Sequence, residues 1–203
     1  MFPLGTVLFP HAVLTLHVFE PRYRAMTRAV LDGDQEFGVV LIERGSEVGG
    51  GDVRFTIGTM AHIVQASELA DGRFALVAVG VHRFRVERWL PDDPYPRADV
   101  VELIEPPIAP ETRAMVGPVL SSLHTVHDLA GRLHGNTRTE KLEVSPDPEP
   151  ASYEVAALAS LGPLDAQRVL ELPDTAARLR ALGGLLSEAV TTLRAQLGES
   201  GNR

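Results

Sequence analysis

The sequence contains no cysteine and only one lysine, Lys141, among its 203 residues. Without cysteine the chain forms no disulfide, holds no iron–sulfur cluster and offers no thiol nucleophile. The phosphate loop G-x-x-x-x-G-K-[ST] is excluded, because Lys141 follows a glutamate and precedes a leucine. The proline-rich segment beside Lys141 is also unfavourable for the desolvated lysine base of a serine–lysine peptidase. We therefore expect no enzyme activity, and neither a cofactor nor a metal.

Positive charge and long apolar runs are also scarce. Nineteen basic residues oppose 27 acidic ones, and the net charge is −8. This balance disfavours a polyanionic partner such as a nucleic acid. No apolar run approaches the 18 residues of a membrane-spanning helix, and the first residues lack the basic region of a secretory signal. We therefore expect a cytoplasmic protein with no membrane partner.

Aromatic residues are few and are concentrated in the first half of the chain. Ten of the 11 precede residue 105, and Tyr153 is the exception. The same half alternates apolar with polar residues, or runs apolar, in short segments separated by turn residues that include Gly80. These segments predict six strands or so with one helix between them, in a mostly antiparallel sheet or small barrel. The predicted strands are 14–18, 37–42, 59–65, 74–81, 84–89 and 98–104, and the predicted helix is 21–31.

The second half has a helical period. Pro106 and Pro107 break the chain, and the apolar spacing then changes from two to about 3.6 residues. The domain boundaries predicted from this change are 1–105 for a β-rich part and 106–203 for a helical part. The last helix is predicted from Asp174, a favourable N-cap, to a stop at Gly198. It contains the pair Gly183-Gly184, for which close packing against another element is the expected compensation.

Several motifs resemble those of a known family, the N-terminal substrate-recognition domain of Lon proteases. The opening run, the Phe-Glu-Pro-Arg-Tyr run and the later Arg-Phe-Arg are the main points of likeness, at residues 2–10, 19–23 and 83–85. The resemblance implies an α+β fold, with a PUA-like β pseudo-barrel followed by a C-terminal helical bundle with one long last helix. It further implies non-catalytic recognition of an unfolded or extended polypeptide, or of a partner protein.

Four residues are the candidates for binding a peptide or partner protein: Phe19, Arg22, Tyr23 and Trp89. The expected place is a groove between the two halves, because ligand sites favour domain junctions. For Glu20 and Tyr23 a folding role is the stronger expectation. Glu20 precedes a proline that begins a helix and is expected to cap it, whereas the ring of Tyr23 is expected to be buried.

Other constellations point to different functions. Arg83, Arg85 and Arg88 beside Trp89 are the best candidates for an RNA-binding module of the PUA-like type, although a solvated strand face is the simpler interpretation. A set of histidines with one aspartate invites a metal interpretation, but its outer members lie about 15 Å apart along a helix. An uncharacterised hydrolase is a further alternative, for which no carboxylate pair is singled out. The histidine set is His124, His127, Asp128 and His134.

Overall fold

The computed structural model describes residues 1–45, 51–135 and 142–200. Lys141 and part of the proline-rich segment therefore lie outside the described residues. The strands are β1 (Phe2–Leu4), β2 (Val13–Val18), β3 (Glu36–Arg44), β4 (Val53–Glu68), β5 (Phe74–Leu90) and β6 (Arg97–Glu102). The helices are α1 (Pro21–Leu31), α2 (Arg113–Leu133), α3 (Pro148–Leu158), α4 (Pro163–Glu171) and α5 (Thr175–Ser200), with a short 3-10 helix at Pro110–Thr112.

The six strands form one sheet with the order β1-β3-β4-β5-β2, and β6 also pairs with β5. Only β1 pairs in parallel, with β3, and the remaining described pairs are antiparallel. The long strand β5 pairs with three strands: with β4 over most of its length, with β2 through its first part and with β6 through its last part. Consequently β2 is an edge strand, with β5 as its only paired neighbour among the described strands.

Gly80 lies inside β5, so the prediction of a turn there is wrong. A Cβ atom at this position would lie 2.2 Å from the carbonyl oxygen of Phe9. Glycine therefore lets the Phe9–Pro10 segment cross close to the strand, where Gly80 N donates a hydrogen bond to Ala12 O. The glycine marks a close backbone approach within a strand, and the two predicted strands become one.

The described residues divide into two compact units. The first comprises Met1–Ile104 together with Gly162–Glu171, and the second comprises Glu105–Leu161 and the chain from Leu172 onward. Helix α4 belongs to the first unit, where Gln167 Nε2 donates to Ile57 O at 3.0 Å. The sequence boundaries place α4 with the helical part instead. The division into a β-rich subdomain at 1–105 and a helical subdomain at 106–203 stays a prediction.

Each unit has its own buried apolar residues. In the first, the inward-facing side chains of β2, β3, β4 and β5 pack with β1 and α1. In the second, α2 and α5 pack together and bury Leu123, Leu179 and Leu182. Helix α5 begins as predicted, because Asp174 Oδ1 accepts a hydrogen bond from Ala177 N at 2.7 Å. It continues past Gly198, which the sequence predicts as its end.

Replacing Gly184 by alanine is expected to stabilise the protein. Gly184 lies in the interior of α5, and a Cβ atom there would meet nothing within 4 Å. A glycine in a helix interior costs about 1 kcal/mol relative to alanine, so Gly184→Ala is expected to raise the free energy of unfolding by about that amount. Urea denaturation followed by circular dichroism measures the change.

The neighbouring glycine is the matched comparison. At Gly183 a Cβ atom would lie 3.8 Å from Val119 Cγ2, an ordinary contact distance. Gly183→Ala is therefore also expected to be tolerated. A loss of stability on Gly184→Ala would show that close packing, and not helix propensity, governs this position.

Candidate functional site

The Phe-Glu-Pro-Arg-Tyr run joins β2 to α1. Pro21 is the first residue of α1. Proline is tolerated there because an N–H group at the first helical position would have no acceptor within the helix. Glu20 has the extended backbone of an N-cap, but its side chain makes no capping hydrogen bond. It accepts a hydrogen bond from Arg22 Nε at 3.1 Å instead. The prediction that Glu20 caps the helix is therefore wrong, because the carboxylate pairs with the nearby guanidinium.

Tyr23 is a core residue of the first unit. Its ring is 3% exposed and stacks on Phe2 with a centroid distance of 4.2 Å. The guanidinium carbon of Arg22 lies 4.4 Å from the centre of the Tyr23 ring. Burial, only partly offset by the charge of Arg22, raises the pKa of Tyr23 to about 12. The phenol therefore stays protonated through the neutral range, and the expected burial of the ring is observed.

Trp89 lies near the end of β5, half-buried against Phe84 and Val86. The guanidinium carbon of Arg54 is 4.9 Å from the centre of its ring, a cation–π contact. Arg54 also donates hydrogen bonds to Asp52 and, at 3.2 Å, to Asp92. Trp89 therefore contacts the core on one hand, and on the other a charged cluster of the first unit that consists of Arg54, Asp52 and Asp92.

Asp52 links the clusters of Tyr23 and Trp89 electrostatically. Burial of the Asp52 carboxyl raises its pKa, but the hydrogen bond from Arg54 and the charges of Arg54 and Arg22 lower it. The net result is a pKa below the ordinary value of 3.8. Since the unfolded chain binds this proton more readily, ionised Asp52 stabilises the fold above pH 3.8, and the contribution is lost as the pH falls through the folded-state pKa.

Asp52→Asn is therefore expected to destabilise the protein most at neutral pH. The difference in free energy of unfolding between wild type and variant is expected to shrink as the pH falls below 3.8. Chemical denaturation at a series of pH values between neutral and acid measures this difference. A difference that stays constant over the whole series would mean that the ionic interaction with Arg54 contributes nothing.

Phe19 differs from the other three candidates because it is exposed. Its side chain is 56% exposed and follows directly after β2. Arg22 and Tyr23 are in mutual contact, and Trp89 belongs to the Arg54 cluster. A binding role for any of the four stays a prediction.

Sequence reasoning missed the outward-facing residues of β2. Val13, Thr15 and His17 alternate with Leu14, Leu16 and Val18, and the first set is exposed to solvent. Val13 alone is 67% exposed. The sequence does contain a pattern that could have indicated them: β2 has a period of two and no charged residue. That period predicts a solvent-facing side for the strand, but it does not indicate a binding role for that side.

Of the three arginines proposed for RNA, Arg83 alone is buried, whereas Arg85 and Arg88 are exposed to solvent. Arg83 is buried, and its Nη1 donates to Leu170 O at 2.8 Å, so it fastens α4 to the sheet. Arg88 is paired with Asp99, its neighbour across the hairpin. A buried guanidinium that is bonded to backbone is not available to a phosphate group.

His124 and His127 on α2, and His134 directly after it, are exposed to solvent. His127 Nε2 lies 2.9 Å from Leu158 O, a hydrogen bond within the second unit. Within residues 1–45, 51–135 and 142–200 no group of three or more histidine or acidic side chains is placed to hold a metal ion.

The most buried charge in the described part of the chain belongs to Arg178 on α5, in the second unit. Its guanidinium forms a bidentate ion pair with Glu105, at 3.1 and 3.0 Å, and its Nε donates to Ser152 Oγ. The guanidinium also lies 4.0 Å from the centre of the Tyr153 ring, whose hydroxyl donates to the same carboxylate. Arg178, Glu105, Ser152 and Tyr153 all belong to the second unit, and their contacts form a structural anchor within it.

Comparison with known proteins identifies the family. The model of the ATP-dependent protease La (LON) substrate-binding domain matches residues 1–188. The chain belongs to the Lon substrate-binding domain family. Lon protease 2 of Herpetosiphon aurantiacus is 30% identical over 94% of this chain and 23% of its own length. Lon protease of Escherichia coli K12 is 27% identical over 94% of this chain and 24% of its own.

Solved structures agree with the family match. A Lon N-terminal domain protein from Xanthomonas campestris is 25% identical, with a TM-score of 0.63 over 89% of this chain and 94% of that chain. The N-terminal domain of Lon protease from the Mycobacterium avium complex has a TM-score of 0.63 at 21% identity, over 91% and 96%. The expected α+β fold is thereby confirmed.

The chain spans about a quarter of the length of the curated relatives that it matches. The match is to the Lon substrate-binding domain and does not include a peptidase domain. Among the helices described, none is both long enough and apolar enough to cross a membrane.

Proposed function

We propose that this chain recognises unfolded or extended polypeptide, or a partner protein, and performs no chemical step of its own. The observation that carries the proposal is the match of residues 1–188 to a substrate-binding domain family. This range covers both compact units, so the recognition role is assigned to the chain as a whole. The sequence supports the non-catalytic part, since its single lysine rules out a phosphate loop and it contains no cysteine.

The charges of the chain favour polypeptide over RNA as the ligand. The net charge is −8, and two of the three arginines proposed for RNA are engaged with Leu170 O and Asp99. Nucleic-acid affinity depends on basic side chains that neutralise phosphates and so release their counterions. A chain with a net charge of −8 disfavours this contribution. For a hydrolase, no observation singles out a nucleophile with its base.

Binding to a permanently unfolded protein tests the proposal. Labelled ribonuclease A that has been reduced and blocked with neutral carboxamidomethyl groups is titrated with the chain, and fluorescence anisotropy reports binding. Native ribonuclease A and single-stranded poly(U) RNA are the comparison ligands. We expect the unfolded protein to bind and the native one not to.

Salt distinguishes the two ligand classes. Polypeptide binding through apolar contacts and backbone hydrogen bonds is expected to change little between about 0.05 M and about 0.3 M NaCl, whereas phosphate-driven binding falls steeply over this range. Binding to poly(U) alone would contradict the proposed function, and so would equal binding to native and unfolded ribonuclease A.

A further inference from the structure

The outer face of the sheet carries a charge-free patch beside the free edge of β2. On this face, paired residues of the neighbouring strands β2, β5 and β4 form three rows across the sheet. Each row contains one residue from each of the three strands. None of the nine side chains is acidic, arginine or lysine. The rows are Val13–Val79–His62, Thr15–Val77–Gln65 and His17–Ala75–Ser67. We call these nine residues, with the exposed Phe19 that follows β2, the outer patch.

The patch is open to solvent. Val13 is 67% exposed and Phe19 is 56% exposed. Val77 and Val79 in the middle of the patch are partly exposed. The core of the first unit lies on the opposite face, where Leu16, Val18 and Leu76 are buried. The outer patch is therefore a surface of mixed apolar and uncharged polar side chains that the first unit does not use for its own core.

The backbone of β2 has one edge that no described strand occupies. Gly80 N donates to Ala12 O at 2.9 Å, so the Ala12 carbonyl points toward β5, whereas Gly80 O accepts from His11 N at 2.8 Å. Hydrogen-bonded pairs recur at every second residue of an antiparallel ladder, so Leu14, Leu16 and Val18 also direct their backbone groups toward β5. The N–H and C=O groups of Val13, Thr15 and His17 accordingly point toward the free edge, and the same residues place their side chains on the patch.

Exposed sheet edges are usually protected by charged residues, proline or a bulge. Strand β2 has none of these, since it reads Val-Leu-Thr-Leu-His-Val and pairs with β5 without a register shift. A row of backbone donors and acceptors is matched by the backbone of another extended strand, which is the geometry of β-augmentation. Because the edge is uncharged and the whole chain carries −8, an added strand with acidic residues is disfavoured.

We propose that the edge of β2 takes an extended polypeptide segment, without acidic residues, as an additional strand whose side chains pack beside Val13, Thr15 and His17 of the outer patch. This assignment rests on the proposed function and gives it a location. Phe19, one of the four residues expected from the sequence, lies at the end of this edge. The other three candidates are not needed for the contact.

A synthetic peptide tests the assignment. The probe is a labelled peptide of about ten residues that alternates valine with threonine between terminal lysines, a length that matches an ordinary strand. The control peptide has proline in place of threonine, which keeps the valines but removes alternate backbone donors. Anisotropy titrations are expected to show binding of the first peptide and at least tenfold weaker binding of the second.

Three variants locate the contact. Thr15→Pro removes a backbone donor that points to the free edge, and Thr15→Lys places a charge there; each is expected to weaken peptide binding at least tenfold. Thr56→Lys makes the same charge change at an exposed threonine of β4 outside the patch, and its binding is expected to equal that of the wild type. Thermal melting confirms that all three variants are folded.

The outcomes separate the site from the function. If Thr15→Pro and Thr15→Lys are folded and bind the peptide like the wild type, the assignment to β2 is wrong. If those variants still bind unfolded ribonuclease A, and the peptide binds neither the wild type nor the variants, the proposed function stands but the edge of β2 is not the binding site. If the wild type is a dimer that Thr15→Lys makes monomeric, and it binds no peptide, the occupant is a second copy and the assignment is overturned.

Discussion

Arg178→Ala is expected to lower the free energy of unfolding by about 3–5 kcal/mol, the usual cost of breaking a buried ion pair by removing one partner. The side chain of Arg178 is 0% exposed. Its loss removes both hydrogen bonds to the Glu105 carboxylate and the donor to Ser152 Oγ. It also leaves a cavity beside the ring of Tyr153, which the guanidinium covers. Urea denaturation followed by circular dichroism measures the loss.

The control for this variant is Arg180→Ala, two residues along the same helix. Arg180 is exposed, so its replacement is expected to change the free energy of unfolding by no more than about 0.5 kcal/mol. A double variant tests the ionic interaction itself. When Arg178→Met is combined with Glu105→Leu, no buried charge is left without its partner, and the loss is expected to be smaller than for Arg178→Met alone. Equal losses for the single and double variants would show that packing, and not charge pairing, dominates.

Sequence reasoning succeeded where the determining contacts are local. The period of two at residues 14–18 and the apolar run at 37–42 predicted β2 and β3, because side-chain alternation within a strand decides which face is buried. The cap of α5 at Asp174 was predictable for the same reason, since its hydrogen bond spans three residues.

Sequence reasoning failed where the determining contact is distant in the chain. Gly80 was taken for a turn because the segment that it accommodates, at Phe9, lies some seventy residues earlier. The anchor at Arg178 was not anticipated, since its carboxylate partner Glu105 is 73 residues away. Arg83 was assigned to a solvated face, although its acceptor is a carbonyl group of α4. No local pattern contains such partners.

The candidate site divides in the same way. That Tyr23 is buried followed from an aromatic residue near a helix start, and its stacking on Phe2 agrees with that expectation. That β2 has a free edge required the strand order, which brings strands that are far apart in sequence next to each other. Sequence patterns therefore do not predict the edge that is proposed to bind polypeptide, although they do show that the residues of β2 are uncharged.

Tyr23→Ala is expected to lower the free energy of unfolding by about 3–5 kcal/mol, the cost of truncating a buried aromatic side chain. The stacked ring of Phe2 would lose its partner, and the core of the first unit would be left with a cavity. Phe19→Ala is the matched aromatic control. Phe19 is exposed, so its truncation is expected to change stability by no more than about 0.5 kcal/mol.

The same variants test the roles of the Phe-Glu-Pro-Arg-Tyr run. Glu20 makes no capping hydrogen bond and its ion pair with Arg22 is partly exposed, so Glu20→Ala is expected to cost less than about 1 kcal/mol. Thermal melting and binding to unfolded ribonuclease A are measured side by side for each variant. Phe19→Ala is expected to weaken binding at an unchanged melting temperature, because Phe19 belongs to the outer patch, whereas Tyr23→Ala is expected to melt earlier. If Tyr23→Ala melts like the wild type yet loses binding, the buried ring is part of the recognition site and its assignment to the core is wrong.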